Sequence, residues 1–497
     1  MKNRTLIVYH RPPYEEFLQE GTIFFKENSR PNGIIPLLKS VIIDSHQTTW
    51  IAASHLIADA QNDNPQRIEI ADLKSSLTLK RVSISSSELH DFYHVTSKEG
   101  FWPILHSFPE RFNCSKVNWQ NFLDINERFA KAAIEEMEDD TVVWIHDYNL
   151  WMVPHFIRNI KNDAKIAFCL HTPFPSADIF NILPWRSEII SSLLCCDLIT
   201  FAIPRYIENF VSAAGSSLPI KKFLREPVTE NFVRIGSALN ENFVTKEIIF
   251  DGHTIKLEAS PVGTDCELIT EELKRTGVAT KIKVIKNDIG NCKLIFSASR
   301  LDYIKGTDKL LEWYIRFLTK RKDLLGKIIL KVIAVKPAEG ITIHSDLESK
   351  IIKLVFEIKE KYQTHGWTPV IYSEEALSFQ DMICWYAASD ILVVPSLRDG
   401  TNLVCKEFIA SKGSRPGTLV ISEFLGAAIE LNEAVTFNPY CENSMDNAMD
   451  EAYQMHNSEQ ILRNTRLYER IMISVPKLWA NQLAVIDNKK IVNFTSN

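Results

Sequence analysis

The 497-residue sequence contains no dense tract of lysine or arginine. Its 56 basic and 62 acidic residues leave a formal net charge of −6, which gives no electrostatic footprint for nucleic acid or an anionic membrane. We therefore expect neither as a partner. An anionic ligand would have to be held by a few well-placed cations.

Long apolar runs and paired cysteines are missing as well. No segment approaches the roughly 20 apolar residues that span a bilayer, and the N-terminal apolar run is too short for a signal peptide. The nine cysteines include no pair at metal-ligand spacing. We expect reduced thiols, a cytoplasmic protein, and no resident metal or cofactor.

Length and patterning predict two α/β domains. A single hydrophobic core stops growing at roughly 250 to 300 residues, and 45% hydrophobic with 24% charged residues is typical of a folded chain. Short β-branched apolar runs alternate with amphipathic stretches, as in parallel strands joined by helices. We place the boundary near Val244, with domains over residues 1–244 and 245–475, and leave open whether residues 476–497 pack back on the first.

Polar residues end the predicted strands. Those strand segments cover residues 141–148, 165–175, 198–203, 293–302, 327–337, 369–373, 390–400 and 417–424, and a helix is expected over 308–317. Doubly wound sheets bind ligands just outside the carboxyl ends of their strands. The polar residues at these ends are therefore the functional candidates.

The most informative segment is SLRDGTNLVCKEF, residues 396–408. The Asp399-Gly400 pair predicts a turn, and a helix starting near Asn402 would direct its free N–H groups toward an anion such as a diphosphate. Glu407 would then be placed to accept hydrogen bonds from ribose hydroxyls. The alternative is that Asp399 only caps the helix and that Glu407 is solvated.

A second segment, SASRLDYIKGTDK, places Arg300 and Lys305 around a turn after another strand. Two cations there could neutralise the charge that develops on a leaving diphosphate, and an arginine can bond in a bidentate manner. The alternative is an ion pair between Arg300 and Asp302 beside a solvated lysine.

In the first half of the chain, His146, Asp147 and His171 follow two neighbouring predicted strands. Asp147 could orient or deprotonate an acceptor hydroxyl, and His171 could hydrogen-bond a sugar hydroxyl. A metal site from these three is a poor alternative, because consecutive residues of a strand point to opposite faces. His146 is more simply interpreted as a structural histidine.

Four further candidates come from the N-terminal segments. Arg11 ends a predicted strand, and Gly33 precedes a predicted helix, where it would permit close approach to a phosphate or sugar. The Asn-Gly pair at Gly33 could equally be a simple turn. Tyr93 and Trp102, in DFYHVTSKEGFWP, could wall an acceptor pocket or fill the core.

Taken in order, several segments resemble the trehalose-6-phosphate synthase family of glycosyltransferases across nearly the whole chain. They are IHDY, HTPFPSADIFNILP, RLDYIKG, GWTP, LRDGTNLVCKEF, EFLGAAIEL and FNPY. The resemblance implies a GT-B fold, in which two Rossmann-like domains face each other across a cleft. It also implies retention of anomeric configuration without a metal.

The resemblance further implies a role for each candidate. The residues implied in donor binding are Gly33, His171, Arg300, Lys305, Asp399, Gly400, Asn402, Leu403, Val404 and Glu407. Those implied at the acceptor are Arg11, Tyr93, Trp102 and Asp147. Catalysis would combine the two cations at the diphosphate, His171 at the glucose and Asp147 at the acceptor hydroxyl.

The acceptor segments depart from those of trehalose-6-phosphate synthases. SRPNG replaces their paired-glycine loop, and residues 335–343, VKPAEGITI, contain no arginine where those enzymes hold glucose 6-phosphate with one. The opening YHRPPYEEF, the run SRPNGIIPLLKS and the segment KPAEG instead resemble the glucosylglycerol-phosphate synthase branch. That branch transfers glucose from ADP-glucose to glycerol 3-phosphate, a step toward a compatible solute in salt stress, and Arg11 and Lys336 would then hold the acceptor phosphate.

Two alternatives stay open. One is a trehalose-6-phosphate synthase with a rebuilt acceptor pocket, and the other is a non-catalytic relative that senses sugar phosphates. Arg300, Lys305, Asp399 and Glu407 are all present, which favours an active enzyme. Oligomeric state and the donor base cannot be inferred from these residues.

Overall fold

A computed structural model of the chain describes residues 4–19, 22–27, 33–42, 48–56, 66–71, 76–336 and 345–486. The chain forms two compact units. The first comprises Met1–Thr229, Glu241–Val262 and Pro476–Asn497, and the second comprises Glu230–Asn240 and Gly263–Val475. Val244 lies within a strand of the first unit. The chain therefore enters the second unit over Glu230–Asn240, returns to the first unit at Glu241, close to Val244, and enters the second unit again after Val262.

The first unit is built on one large sheet. The strands of this unit are β1 (Thr5–Val8), β2 (Tyr14–Gln19), β3 (Thr22–Glu27), β4 (Thr48–Ser54), β5 (Arg67–Ala71), β6 (Ser76–Ser83), β7 (Val142–His146), β8 (Lys165–Cys169), β9 (Leu198–Phe201), β10 (Lys221–Pro227), β11 (Phe243–Phe250) and β12 (His253–Ala259). The ten-stranded sheet has the order β10-β11-β12-β9-β8-β7-β1-β4-β6-β5, and β2 and β3 form a separate hairpin. The sheet is parallel from β6 to β12 and antiparallel at both edges.

The first unit also contains helices, most of which connect these strands. They are Ile35–Ile42, Ser86–Leu89, Trp102–Leu105, Trp119–Glu136, Val153–Ile160, Ala177–Phe180, Arg186–Leu193, Pro204–Ser217 and Pro476–Ala480, and a π-helical segment covers His90–Phe101. Trp119–Glu136 shows why such segments are helical. Asn118 caps it by accepting the N–H of Asn121, and one face buries Phe122, Ile125 and Phe129.

The second unit has a six-stranded sheet. Its strands are β13 (Lys293–Arg300), β14 (Ile328–Val335), β15 (Val370–Ser373), β16 (Ile391–Val394), β17 (Thr418–Ser422) and β18 (Val435–Phe437). They are all parallel, in the order β15-β14-β13-β16-β17-β18. This is the Rossmann order, with its switch point between β13 and β16.

Helices cover both faces of this second sheet. They are Cys266–Lys274, Thr276–Ile289, Thr307–Lys320, Ser345–Tyr362, Phe379–Ala388, Leu403–Lys412, Ala427–Glu430, Glu442–Gln454 and Asn457–Met472. Along β16, Ile391 and Val393 join one apolar core, and Leu392 and Val394 join the other. Because strand side chains alternate, a strand buried on both faces is a continuous apolar run.

The predicted α/β fold class is confirmed, and each predicted strand segment contains a strand of the structure. The helix expected over residues 308–317 extends over Thr307–Lys320. Among the helices of the described residues, none combines the length and the apolar character that a membrane span requires.

Candidate active site

Arg300 and Lys305 follow β13, at the point where the strand order of the second sheet reverses. Arg300 is the last residue of the strand and is exposed. A short 3-10 turn, Tyr303–Lys305, comes next, and the buried Asp302 caps it by accepting the N–H of Ile304 at 3.2 Å. β13 pairs with β16, so the loops after these two strands flank the usual ligand position of a doubly wound sheet.

Gly306 allows these two loops to approach each other. It has a left-handed backbone, with φ 65°, and a Cβ at this position would lie 2.2 Å from the carbonyl oxygen of Pro395. Just beyond it, the N–H of Leu397 donates to the carbonyl oxygen of Ile304 at 2.6 Å. A glycine is therefore required at position 306.

Asp399 links the two loops through its carboxylate. Oδ2 accepts from Lys305 Nζ at 2.6 Å and from Asn402 Nδ2 at 2.9 Å, and Oδ1 accepts the N–H of Gly400 at 3.0 Å. Only 13% of the Lys305 side chain and 14% of the Asp399 side chain are exposed. The alternative of a solvated lysine is therefore wrong.

Asn402, and not Asp399, caps the helix Leu403–Lys412. Its backbone is left-handed, with φ 51°, and its Oδ1 accepts the N–H of Cys405 at 3.3 Å. The first N–H groups of a helix, here including those of Leu403 and Val404, have no partners within the helix. Together with the helix dipole they form a seat suited to a phosphate.

Glu407 lies in the second turn of the same helix and is partly buried. Burial raises the pKa of its carboxyl to about 7, although a hydrogen bond from the hydroxyl of Tyr386, at 3.0 Å, acts in the opposite direction. The alternative of a solvated Glu407 is therefore wrong. A desolvated carboxylate is suited to accept hydrogen bonds from ligand hydroxyls.

Asp147 lies directly after β7 in the first unit and has a strained backbone, with φ 74° and ψ 160°. Residues other than glycine adopt this conformation at a cost of about 1–3 kcal/mol. Its N–H donates to the carbonyl oxygen of Cys169 at 2.9 Å, and its Oδ1 accepts the N–H of Tyr148 at 3.2 Å. Burial raises the pKa of Asp147 to about 6. The carboxylate is thus held in place at the carboxyl end of β7, with a pKa above its usual range.

His146 and His171 form a hydrogen-bonded pair, with Nδ1 of His146 3.1 Å from Nε2 of His171. Burial lowers the pKa of both rings, to about 3 for His171. Both rings are therefore neutral, and one donates to the other. The alternative of a purely structural His146 is compatible with this contact, because the hydrogen bond from or to the His146 ring fixes the orientation of the His171 ring.

Cys169 lies on the other edge of the same His171 ring, with Sγ 4.0 Å from Nδ1. Among the described residues, His146, Cys169 and His171 form the group that could hold a metal ion, with ligand atoms within 4.8 Å of one another. The His171 ring faces its two neighbours with different nitrogens. This arrangement fits a chain of polar contacts better than three ligands converging on one ion.

Trp479 forms the wall behind the histidine pair. It belongs to Pro476–Ala480 and is 3% exposed. Its ring centroid lies 4.7 Å from that of Trp144, 6.0 Å from that of His146 and 5.9 Å from that of His171. Sequence reasoning did not single out Trp479, because only the folded chain brings residue 479 to the end of β7.

Tyr93 and Trp102 lie close to the ends of β1 and β7, which are neighbours in the first sheet. The Tyr93 ring stacks on His10 at 5.3 Å, and the Trp102 ring lies 6.1 Å from that of Tyr148. Arg11 follows His10 directly and is partly buried. The structure therefore brings Arg11, Tyr93 and Trp102 to the carboxyl ends of the central strands, where Asp147 also lies.

Sequence reasoning also missed His10 and Lys98. His10 is 6% exposed. Lys98 Nζ lies 3.6 Å from the ring centroid of Trp102 and 5.7 Å from that of Tyr93. The sequence offered one indication of Lys98, which is the cation between the candidate aromatic residues Tyr93 and Trp102.

Gly33 and Lys336 are placed less informatively. Gly33 is exposed, with φ 121°, ahead of the helix Ile35–Ile42. Lys336 forms ion pairs with Glu348 at 2.8 Å and Glu374 at 2.7 Å, so a phosphate would compete with two carboxylates for its ammonium. Most of SRPNG and VKPAEGITI, residues 29–32 and 337–343, lies outside the described residues. The roles of Gly33 and Lys336 stay predictions.

Two Rossmann-like units, one with an anion seat at its switch point and one with polar groups at its strand ends, define the GT-B class of glycosyltransferases. The sequence model of glycosyltransferase family 20 matches residues 3–486. The chain belongs to that family and is a glycosyltransferase.

Several relatives within this family match the chain over nearly its full length. The chain is 42% identical to glucosylglycerol-phosphate synthase of Synechocystis sp., over 97% of both chains. It is 41% identical to the enzyme of the same name from Picosynechococcus sp., again over 97% of both. A solved trehalose-phosphate synthase from Burkholderia xenovorans, in complex with glucose-6-phosphate, matches 98% of this chain and 100% of its own with a TM-score of 0.82. Its identity is 21%, so that likeness shows the fold.

Proposed function

We propose that this retaining glucosyltransferase moves glucose from ADP-glucose to glycerol 3-phosphate and so acts as a glucosylglycerol-phosphate synthase. The observation that carries the proposal is the 42% identity to the Synechocystis enzyme over 97% of both chains. The contacts of Asp399 with Lys305 and Asn402, in the proposed nucleotide-sugar site, support an active enzyme. The product would be the phosphorylated precursor of a compatible solute for salt stress.

In this proposal the donor diphosphate binds at the switch point of the second sheet. The N–H groups of Leu403 and Val404 and the side chains of Arg300 and Lys305 neutralise the charge that grows on the leaving diphosphate. The support is geometric, since Lys305 is fixed by Asp399 at 2.6 Å beside the start of the helix Leu403–Lys412.

The nucleoside and sugar of the donor need acceptors of hydrogen bonds. Glu407, with its raised pKa and one hydroxyl partner, accepts from the ribose hydroxyls. Asp399 and the neutral His171 bind hydroxyls of the glucose. If the protein contacts the adenine base of the donor mainly through backbone atoms, the side chains cannot show which nucleotide is bound.

The transfer itself proceeds on one face of the sugar. The acceptor oxygen forms a bond to the anomeric carbon from the side on which the bond to the diphosphate breaks, and a diphosphate oxygen takes the acceptor proton. Asp147 accepts a hydrogen bond from the acceptor hydroxyl and orients it. Its strained backbone and its bond to Tyr148 N–H hold the carboxylate in place.

Two alternatives differ from this proposal, one in the acceptor and the other in having no catalytic activity. A trehalose-6-phosphate synthase would use glucose 6-phosphate, but residues 335–343 contain no arginine to hold it. A non-catalytic sensor would not need the Lys305–Asp399–Asn402 contacts, which are intact. Both observations favour the glycerol 3-phosphate enzyme.

The decisive experiment measures nucleotide release by the purified protein from ADP-glucose. We expect release with glycerol 3-phosphate and no more than background release with glucose 6-phosphate, and the NMR coupling of the product should report the α-anomer. Parallel reactions with UDP-glucose and GDP-glucose identify the donor base. Release with glucose 6-phosphate alone would contradict the proposed acceptor, and no release with any pair would favour the sensor.

A further inference from the structure

Lys98 lies on an aromatic surface of the first unit. Its Nζ is 3.6 Å from the ring centroid of Trp102 and 5.7 Å from that of Tyr93, and the residue is partly buried. The π-helical segment His90–Phe101 causes this placement. Its i to i+5 bonding brings Lys98, five residues after Tyr93, onto the same side.

His10 borders the same surface and has capacity for a ligand. It is 6% exposed, and neither ring nitrogen has a hydrogen-bond partner among the described residues. Its ring stacks on Tyr93 at 5.3 Å. Burial lowers the pKa of His10, and the charges of Arg11 and Lys98 lower it further. The neutral ring offers one donor and one acceptor.

The surface is close to the residue that would orient the acceptor hydroxyl. The Trp102 ring lies 6.1 Å from the ring of Tyr148, the residue after Asp147. Burial raises the pKa of Asp147, and the charge of Lys98 opposes that rise. The Lys98 ammonium therefore lies close enough to Asp147 for the two opposite charges to attract each other.

We propose that Lys98 binds the phosphate of the acceptor in addition to Arg11, with His10 completing the subsite. A three-carbon acceptor carries its phosphate close to its reacting hydroxyl, so its cation must lie near Asp147, where Lys98 is found. The opposing interpretation is that Lys98 only packs its aliphatic stem on the two rings. The inference rests on the proposed function for the identity of the acceptor.

The test compares Lys98→Met with Lys98→Arg and with a matched control, Lys116→Met. Lys116 is an exposed lysine 18 positions along the same region whose Nζ pairs with Glu99 at 2.5 Å, with 52% of its side chain exposed. Isothermal titration of glycerol 3-phosphate into the protein saturated with nucleoside diphosphate measures acceptor affinity directly. A thermal unfolding curve for each variant checks that it folds.

We expect Lys98→Met to weaken glycerol 3-phosphate binding on the order of 10- to 100-fold, the usual effect of losing a charged hydrogen-bond partner. Lys98→Arg should keep most of the affinity, and Lys116→Met should equal the wild type. The affinity for the nucleoside diphosphate should not change in any variant. In steady state the loss should fall on KM for the acceptor more than on kcat.

An unchanged affinity for the acceptor in folded Lys98→Met would overturn the inference, as would an equal loss of nucleotide affinity. Failure of the proposed function gives a different result. If the wild type binds and uses glucose 6-phosphate in place of glycerol 3-phosphate, the proposed acceptor is wrong, and the same titration with glucose 6-phosphate still decides whether Lys98 binds its phosphate.

Discussion

Lys305→Ala should lower the turnover number of the transferase by about 10²- to 10³-fold. The Lys305 ammonium is fixed by Asp399 Oδ2 at 2.6 Å, and 13% of its side chain is exposed. It lies beside the N-terminus of the helix Leu403–Lys412, where the leaving diphosphate is proposed to bind. The charge that this diphosphate gains in the transition state would lose one of its counterions.

The magnitude follows from the shielding of the site. Two unit charges about 4 Å apart interact by about 1 kcal/mol in water and by about 4 kcal/mol at the effective dielectric constant of a partly buried site. The largely shielded Lys305 belongs to the second case. A loss of about 3–4 kcal/mol in the transition state corresponds to a 10²- to 10³-fold slower reaction.

The variant should stay folded, because Asp399 keeps its bonds from Asn402 Nδ2 at 2.9 Å and from Gly400 N–H at 3.0 Å. Lys309→Ala is a suitable control, since Lys309 has 46% of its side chain exposed and pairs with Glu312 at 3.1 Å. The assay is nucleotide release at saturating donor and acceptor, with kcat and KM determined separately. A kcat for Lys305→Ala equal to that of the control would refute this reasoning.

Three further predictions concern other buried groups. Nucleoside diphosphate affinity should fall as pH decreases through about 7, because hydrogen bonding by the ligand hydroxyls favours the ionised Glu407, whose pKa burial raises to about 7. Titration calorimetry should show proton release on binding below that pH, and Glu407→Gln should reduce both effects, leaving the part that comes from the terminal phosphate, which titrates at about pH 6. Trp479→Ala should lower the free energy of unfolding by about 3–5 kcal/mol, because the ring is 3% exposed and packs on His171. Denaturant unfolding measures this, and a loss below about 1 kcal/mol would contradict the packing. Lys406→Met should cost about 3–5 kcal/mol, since it leaves Glu430, now at 2.7 Å, buried without its cation. Adding Glu430→Leu should recover most of that loss in the same measurement.

The donor side was largely predictable because its signals are local. Apolar runs identified β13 and β16, and the polar residues that end them follow within a few positions. Two details still required the structure. Asn402 and not Asp399 caps the helix, and Asp399 instead binds Lys305, 94 positions away in sequence. A capping pattern cannot distinguish these cases, because both residue types cap helices well.

The acceptor side was predictable only in part. Tyr93 and Trp102 were candidates, but the intervening Lys98 was not. An α-helix would place residues 93 and 98 on different sides. The segment is π-helical, and no local propensity predicts that. The environment of the buried His10 ring likewise depends on what packs around it, which includes Tyr9 and Tyr93.

The sequence by itself determined the parallel α/β architecture and the positions of the strand ends. Those depend on hydrophobic periodicity, which acts over a few residues and is set by the backbone geometry of strands and helices. Only the tertiary structure decided the division of residues 230–262 between the two units, the return of Trp479 to His171, and the contact of Lys98 with Trp102. These depend on which distant segments pack together, and the free energy of such packing belongs to the assembled core and not to any one segment.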